Sequence, residues 1–117
     1  MMNHVVDAYL ATWNAAPAER ARLLAEHFSP DVSYTDPLAQ VAGHDGLHAL
    51  VDGVHAQFPG FVFTPVGTVD GHHDRIRFQW GLGPEGAEPA VIGFDVVVLD
   101  DAGRIRDVHG FLDRVPA

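Results

Sequence analysis

The sequence contains no cysteine and no lysine among its 117 residues. Without cysteine the chain cannot form a disulfide, supply a thiolate nucleophile or bind a metal through sulfur. Without lysine it can form no Schiff base, and it lacks the lysine of a phosphate-binding P-loop. Its two serines, Ser29 and Ser33, lie outside the GxSxG motif that is typical of serine hydrolases. Any catalysis is therefore expected to depend on carboxylates, histidines and tyrosines.

Positive charge is also scarce, because all seven basic residues are arginines and the formal net charge is −9 at pH 7. Such a field opposes binding to nucleic acid and to anionic membranes. The N-terminal residues show no signal-peptide pattern, and no window approaches the roughly 18 apolar residues that cross a bilayer. These features predict a cytoplasmic protein that binds neither nucleic acid nor membrane.

The spacing of apolar residues predicts helices first and strands afterwards. Side chains from Met2 to Trp13 recur at helical spacing, and Pro17 suits the first turn of a second helix. Alternating apolar residues dominate the second half of the chain. The predicted helices span about 3–15, 17–28 and 44–57, and the predicted strands span about 32–35, 61–69, 75–82, 90–99 and 104–112.

This order predicts one α+β domain over residues 1–117. Three N-terminal helices are expected to pack on one face of a curved, mostly antiparallel sheet. A sheet closed on one side by helices forms a cone with an apolar interior. Polar side chains that point into the interior are then candidates for function.

Two polar residues are expected inside the cone. Tyr9 lies at the centre of the apolar face of the first helix, so its hydroxyl should be buried and should need a partner, such as a backbone carbonyl. Asp95 interrupts the apolar run AVIGFDVVVL, where an unpaired carboxylate costs several kcal/mol unless it takes up a proton. The alternative for Asp95 is a partly exposed position near a strand edge. In SYTDPLA, Asp36 precedes a proline and can be interpreted as the cap of a turn.

The chain resembles the nuclear transport factor 2-like superfamily, in its SnoaL-like and ketosteroid isomerase-like branch. The resemblance rests on AYLATWNAAPAERARLLAEHFSPDVSYTDPLAQVAGHDGLHALV and GFDVVVLDDAGRIRDVHGFLD, and it extends over essentially the whole chain. It implies the cone-shaped α+β barrel of that superfamily. Tyr9 and Asp95 match the family's two oxyanion donors, and Asp36 in YTDP matches its proton-shuttling aspartate. The sequence departs from the family at Val51, where ketosteroid isomerases often have a supporting tyrosine.

These matches imply a cofactor-independent enzyme that moves a double bond next to a carbonyl group. Asp36 would remove the proton as general base, while Tyr9 and a protonated Asp95 would donate hydrogen bonds to the dienolate oxygen. A SnoaL-like polyketide cyclase and a non-catalytic binding or interaction module of the same fold are the alternatives. A hydrophobic small molecule is the expected ligand. The residues expected to contact it are Trp13, Phe28, Val51, Phe58, Trp80 and His109.

For His109 two interpretations stay open, since it either lines the cavity as a second acid or base or packs at the rim or a dimer surface. His44, His48, Asp52 and His55 share one side of the third helix. They span about 16 Å, so at most a pair could share one metal ion. A solvated face is therefore the favoured interpretation, and neither a metal nor a cofactor is expected. The strands are apolar on both faces, and members of the superfamily commonly pair through the outer face of the sheet, which predicts a homodimer.

Overall fold

The computed structural model describes residues 2–116, and of Met2 only the backbone. Three helices pack on a six-stranded sheet, which confirms the predicted α+β fold. The sheet is mixed and is not closed. The elements in chain order are α1 Met2–Asn14, α2 Pro17–His27, β1 Phe28–Thr35, β2 Gln40–Ala42, α3 Gly43–Gln57, β3 Phe61–His72, β4 Arg75–Pro84, β5 Val91–Leu99 and β6 Ile105–Arg114.

The helices bury the apolar faces that their spacing predicts. On α1, the residues Val6, Tyr9, Leu10 and Trp13 follow one another at helical spacing, and all are at most 5% exposed. Arg20 of α2 is fully buried, and its guanidinium donates to the backbone carbonyls of Ala15 and His48 and to the Asp52 carboxylate. These bonds fix α3 against the connection between α1 and α2.

The strand order is β2-β1-β6-β5-β4-β3. Neighbouring strands are antiparallel except β1 and β6, which are parallel. The long strands β5 and β6 therefore lie in the middle of the sheet, with partners on both sides. In β5, buried residues alternate with half-buried ones as far as Val97, so one face carries Asp95 and Val97 towards the helices. Phe94 and Val96 point to the outer face, which is apolar as the sequence predicts.

The boundaries differ from the prediction mainly around β1. The second helix ends at His27, and the strand begins at Phe28 and includes Pro30, whereas the sequence predicts a strand over 32–35 alone. Pro30 fits because the pairing of β1 with β6 shifts register between Phe28 and Ser33, so no ladder bond is needed from it. The three-residue strand β2 was not predicted, since it is too short to show a period.

Candidate active site

A cavity of about 260 Å³ lies between the helices and the inner face of the sheet. Its wall is mostly apolar, with polar groups from two tyrosines, two aspartates and one glutamine. Most of the lining residues belong to α1, α3 and the strands. The lining residues are Tyr9, Trp13, Tyr34, Asp36, Leu38, Leu50, Val54, Gln57, Phe58, Phe63, Trp80, Leu82, Val91, Asp95, Leu112, Val115 and Pro116.

Tyr9 and Asp95 form a pair at the buried end of the site. The Tyr9 hydroxyl donates a 2.7 Å hydrogen bond to Oδ2 of Asp95, and the two residues are 2% and 1% exposed. The expectation of a backbone carbonyl as partner for Tyr9 is therefore wrong, and so is the alternative of an exposed edge position for Asp95. Within residues 2–116, the buried Oδ1 atom of Asp95 has no hydrogen-bond partner.

Burial raises the pKa of Asp95 from its ordinary value of 3.8 to about 6. The hydrogen bond from Tyr9 and the nearby Trp80 side chain oppose this rise, whereas the charge of Asp36 adds to it. The pKa of Tyr9 is also raised, first by burial and then by the negative charge of Asp95. Asp95 can therefore exist as a neutral acid or as a carboxylate close to physiological pH, which makes it a candidate for proton transfer or hydrogen-bond donation.

The register of the central strands places Asp95 beside a glycine. Asp95 pairs with Phe78 on β4 and with Gly110 on β6. A Cβ atom at Gly110 would lie 3.0 Å from Oδ1 of Asp95 and 3.1 Å from Cβ of Asp36. The missing side chain at Gly110 thus lets Asp95 on β5 and Asp36, directly after β1, approach the same point.

Asp36 and Tyr34 form a second pair, at the mouth of the cavity. The Tyr34 hydroxyl donates to Oδ2 of Asp36 at 2.6 Å, and the backbone amides of Leu38 and Ala39 both donate to Oδ1 at 2.8 Å. Asp36 therefore caps the turn after β1, as one interpretation of SYTDPLA predicts, and it also lines the cavity. Burial, followed by the bond to Asp36, raises the pKa of the Tyr34 hydroxyl.

Two local features hold the aromatic walls in place. The side chain of Asn14, next to Trp13, donates to the carbonyl of Phe63 and accepts from its amide, so the end of α1 is fixed to β3. On β4, the Trp80 ring lies over Gly93, where a Cβ atom would be only 2.0 Å from the ring. The glycine therefore provides the space that the indole occupies.

Six predicted site residues line the cavity and three do not. Tyr9, Asp36, Asp95, Trp13, Phe58 and Trp80 all contribute to the wall. Phe28 and Val51 are fully buried but lie behind the wall. Phe28 packs against Tyr9, and α3 lines the cavity with Leu50 and Val54 rather than with Val51. The structure therefore does not place these two predicted contact residues in the wall.

His109 does not line the cavity either. It pairs with Val96, whereas the next residue, Gly110, pairs with Asp95. Because neighbouring residues of a strand point to opposite faces, His109 lies on the outer face of the sheet, where it is exposed. The interpretation of His109 as a second acid or base in the cavity is therefore wrong.

Tyr34 is the residue of the site that the sequence analysis missed. It is 4% exposed and packs against Trp13, with ring centroids 5.6 Å apart. A signal was available, since Tyr34 precedes Asp36 by two residues and so shares its face on an extended segment. Tyr34 gives this cavity a second tyrosine although Val51 replaces the one expected on α3.

The row of histidines on α3 has a structural role. Nε2 of His44 lies 3.0 Å from the carbonyl oxygen of Phe28, and Nε2 of His55 lies 2.6 Å from that of Trp13. The prediction of a solvated face is therefore wrong for these two, which connect α3 to β1 and α1. In the described residues 2–116, no group of three His, Asp or Glu side chains is placed to hold a metal ion.

Comparison with known families identifies the domain. Residues 6–108 match the model of the SnoaL-like domain. The chain belongs to the SnoaL-like family. No curated protein matches it significantly in sequence. Within residues 2–116, no helix is both long and apolar enough to span a membrane.

Several solved structures have the same architecture. A candidate isomerase of the family from Agrobacterium tumefaciens is 37% identical, with a TM-score of 0.89 over 94% of this chain and 95% of that one. A candidate polyketide cyclase from Sinorhizobium meliloti is 18% identical (TM-score 0.71, 92% and 93% covered). A protein of ketosteroid isomerase-like fold from Catenulispora acidiphila, solved in complex with trimethylamine, is 17% identical (TM-score 0.72, 91% and 82% covered). The last two show the shared fold alone.

Proposed function

We propose that this SnoaL-like protein is an acid–base enzyme that acts on a hydrophobic carbonyl compound, through isomerisation of a double bond by way of a dienolate. The observation that carries the proposal is the presence of two aspartates at one apolar cavity, one buried beside Tyr9 and one at the mouth. Removal of a proton next to a carbonyl requires a base, and the enolate oxygen requires buried donors. The pairs Tyr34–Asp36 and Tyr9–Asp95 meet these two needs.

In this mechanism Asp36 is the base. Two backbone amides hold its Oδ1 atom and Tyr34 holds Oδ2, so the direction of the carboxylate is fixed before the substrate arrives. Asp36 removes a proton from the carbon next to the carbonyl group and returns it at the far end of the conjugated system. The space at Gly110 lies between Cβ of Asp36 and Oδ1 of Asp95, so the two side chains start close together, which suits the short distance between the oxygen and the acidic carbon of a ketone.

Tyr9 and Asp95 are the proposed donors to the developing oxyanion. For this role Asp95 must carry its proton, and a pKa of about 6 makes the protonated form accessible near neutral pH. The indole Nε1 of Trp13 is a third candidate donor. It is buried and has no hydrogen-bond partner among the described residues, while its ring packs 6.2 Å from that of Tyr9. A buried N–H without a partner costs about 1–3 kcal/mol, which a substrate oxygen would recover.

The test is conversion of 3-cyclohexen-1-one to its conjugated isomer, followed by ultraviolet absorbance, with a 5-ene-3-ketosteroid as a second substrate. Asp36→Asn is expected to lower kcat about 10²-fold or more, because the base is lost. Asp95→Asn should lower it about tenfold, because an amide still donates. Asp31→Asn, at an exposed position of β1, is the matched control and should leave kcat unchanged.

The outcomes separate catalysis from binding. Equal rates for wild type and Asp36→Asn would contradict the role of Asp36 as base. If wild type converts neither substrate but binds a phenol in the cavity, the non-catalytic binding module replaces the enzyme. A phenolate-like ligand should also bind more tightly than its neutral isostere at an oxyanion site.

We also propose that the chain forms a homodimer through the outer face of the sheet. Phe94 and Phe111 pack against each other there, with ring centroids 6.4 Å apart, and Phe111 is 56% exposed. Val96 lies beside them on the same face, so the surface is an apolar patch that a second copy would cover. Light scattering at micromolar concentration should give twice the chain mass for wild type and less for Phe111→Glu. A monomeric wild type would contradict the dimer.

A further inference from the structure

The cavity carries negative charge that no basic side chain balances. Among the residues 2–116 that line it, Asp36 and Asp95 are the only ionisable carboxyl groups, and neither arginine nor histidine is present. The hydrogen bonds to Asp36 come from a tyrosine and two amides, and Asp95 accepts one bond, from Tyr9. All of these donors are neutral. A carboxylate in such a place is stabilised when a cation approaches, because buried charges are costly without a partner.

The buried carboxyl group also has an unused acceptor. Asp95 is 1% exposed, and in the described chain its Oδ1 has no hydrogen-bond partner. Natural proteins rarely leave such an atom unsatisfied, and an exception at a cavity wall points to a missing ligand. A ketone oxygen cannot serve an ionised Asp95, because both groups are acceptors. A protonated amine can donate a hydrogen bond to Oδ1, and a quaternary ammonium can neutralise the charge from nearby although it has no N–H to donate.

Aromatic rings surround the same space. The ring centroids of Trp13 and Phe63 are 5.3 Å apart, as are those of Phe63 and Trp80, and Tyr34 packs 5.6 Å from Trp13. The four side chains form a continuous wall that also includes the mouth of the cavity. Aromatic faces attract cations, and the attraction is strongest for tryptophan and when water is excluded. Two carboxyl groups in a cavity with aromatic walls thus favour an organic cation over a bare metal ion.

The size of the cavity limits the ligand. A cavity of about 150 Å³ is enough to hold benzene, so a volume of about 260 Å³ suits one ring with a compact substituent. The pockets of drug-sized ligands start at about 300 Å³. A large or strongly hydrated cation would not fit without protruding through the mouth.

We propose that the cavity binds compact organic cations, namely amines that carry a quaternary or protonated nitrogen on or beside a single ring. The cation would lie against the aromatic wall and close to the two carboxylates. This ligand class goes beyond the carbonyl substrate of the proposed reaction, and its binding does not require turnover.

The two ligand classes should respond to pH in opposite directions. The groups that titrate at the cavity are Tyr9 on α1, Tyr34 and Asp36 on and after β1, and Asp95 on β5. On α3, no titratable residue is among the described lining residues, and His55 bonds the Trp13 carbonyl behind the wall. The parts of β3, β4 and β6 that line the wall contribute Phe63, Trp80, Leu82 and Leu112, none of which titrates. With a pKa of about 6, Asp95 is mostly charged at pH 8 and mostly neutral at pH 5. The cation should therefore bind better at pH 8, and a neutral oxygen ligand should bind better at pH 5.

The test compares phenyltrimethylammonium with tert-butylbenzene, which has the same shape and no charge. The quaternary ion stays charged at every pH, so any pH dependence comes from the protein. Trp13 and Trp80 are the two tryptophans of the chain and both line the cavity, so quenching of their fluorescence reports binding at this site. At pH 8 the cation is expected to bind about tenfold or more tightly than the hydrocarbon. At pH 5 this preference should fall several-fold.

Variants test the source of the preference. Asp95→Asn should remove most of the change between pH 5 and pH 8, and Asp36→Asn should weaken cation binding at both pH values. Asp101→Asn, in the exposed turn before β6, removes the same charge from the surface and should leave both affinities unchanged. Equal affinities of wild type for the two ligands at pH 8 would overturn the proposal. So would a preference that Asp36→Asn and Asp95→Asn leave intact, since the cation would then bind elsewhere on the acidic surface.

Discussion

The cavity contains the same two residue types twice, in two different surroundings. Tyr9 and Asp95 meet at its buried end, where a single 2.7 Å hydrogen bond joins them and one carboxyl oxygen has no partner in residues 2–116. Tyr34 and Asp36 meet at its mouth, where the carboxyl group accepts three hydrogen bonds and is half-exposed. The difference shows that position in the fold, rather than the identity of the pair, sets what each carboxyl group can do.

The buried pair is suited to holding a proton, and the pair at the mouth is suited to moving one. Desolvation favours the neutral form of Asp95, so its pKa rises to about 6. Two backbone amides orient Asp36 by donating to Oδ1. Tyr34 donates to Oδ2 from one side, so a substrate can approach Oδ2 from the other side. A donor and a base next to each other are what a proton transfer next to a carbonyl group requires.

The largest expected effect on stability comes from removing the charge of the buried pair. Because the folded pKa of Asp95 is above its ordinary value, the folded protein binds a proton more tightly than the unfolded chain between about pH 4 and pH 6. Ionisation of Asp95 therefore lowers the free energy of unfolding as the pH rises through this window. The cost reaches about 3 kcal/mol above pH 6. Asp95→Asn should raise the free energy of unfolding at pH 8 by a large part of this amount and change it little at pH 4.

Thermal unfolding at the two pH values measures this effect, with Asp31→Asn as the matched surface control. The control should change the melting temperature little at either pH. If Asp95→Asn melts below wild type at pH 8, contacts must stabilise the Asp95 carboxylate. That result would contradict the difference between the two pairs.

A smaller effect is expected from removing the tyrosine hydroxyl of the buried pair. Tyr9→Phe removes the 2.7 Å hydrogen bond to Oδ2 of Asp95 in the protein interior, at a cost of about 1–3 kcal/mol at pH 8. The penalty should shrink at pH 4, because a neutral carboxyl group is less costly to bury than a carboxylate. Chemical denaturation at both pH values gives the two free energies. Equal penalties at pH 4 and pH 8 would contradict the assignment of the raised pKa to Asp95.

The smallest effect on stability is expected from the same substitution at the mouth. In Tyr34→Phe, Asp36 keeps its two amide donors and gains water, so the free energy of unfolding should fall by about 1 kcal/mol or less. In the ketone assay this variant should lose several-fold in kcat with little change in KM, since the carboxylate loses orientation while the apolar wall stays. If Tyr34→Phe lowers the free energy of unfolding as much as Tyr9→Phe does, the proposed difference between the two pairs is contradicted.

The sequence predicts the burial of Tyr9 and Asp95 better than their surroundings, for a physical reason. Tyr9 lies on a helix with a regular apolar face, and Asp95 interrupts a long strand, so their burial follows from period alone. His109 could not be placed in this way, because shifting a strand by one residue turns every side chain to the other face. The pairing of Asp95 with Gly110, and not with His109, is set by the register of β5 and β6, which itself shifts near both ends of β5.

The mouth of the cavity was harder to predict because it depends on short-range turns. Asp36 was interpreted both as a turn cap and as a chemical group, and the structure shows the cap while placing the residue at the cavity. The strand β2, which pairs with β1 beside this turn, has three residues and no detectable period. The role of Tyr34 follows only once β1 is known to extend straight into Asp36.

The most direct test of the difference between the two pairs is a carbon-13 NMR titration of the aspartate side-chain carboxyl groups in wild type. Asp95 should titrate with a midpoint of about 6. In Tyr9→Phe the midpoint should rise further, because a donor to the carboxylate is lost. If Asp95 is already fully ionised at pH 5, the buried pair cannot hold the proton, and neither its role as an oxyanion donor nor the opposite pH dependence of the two ligand classes can stand.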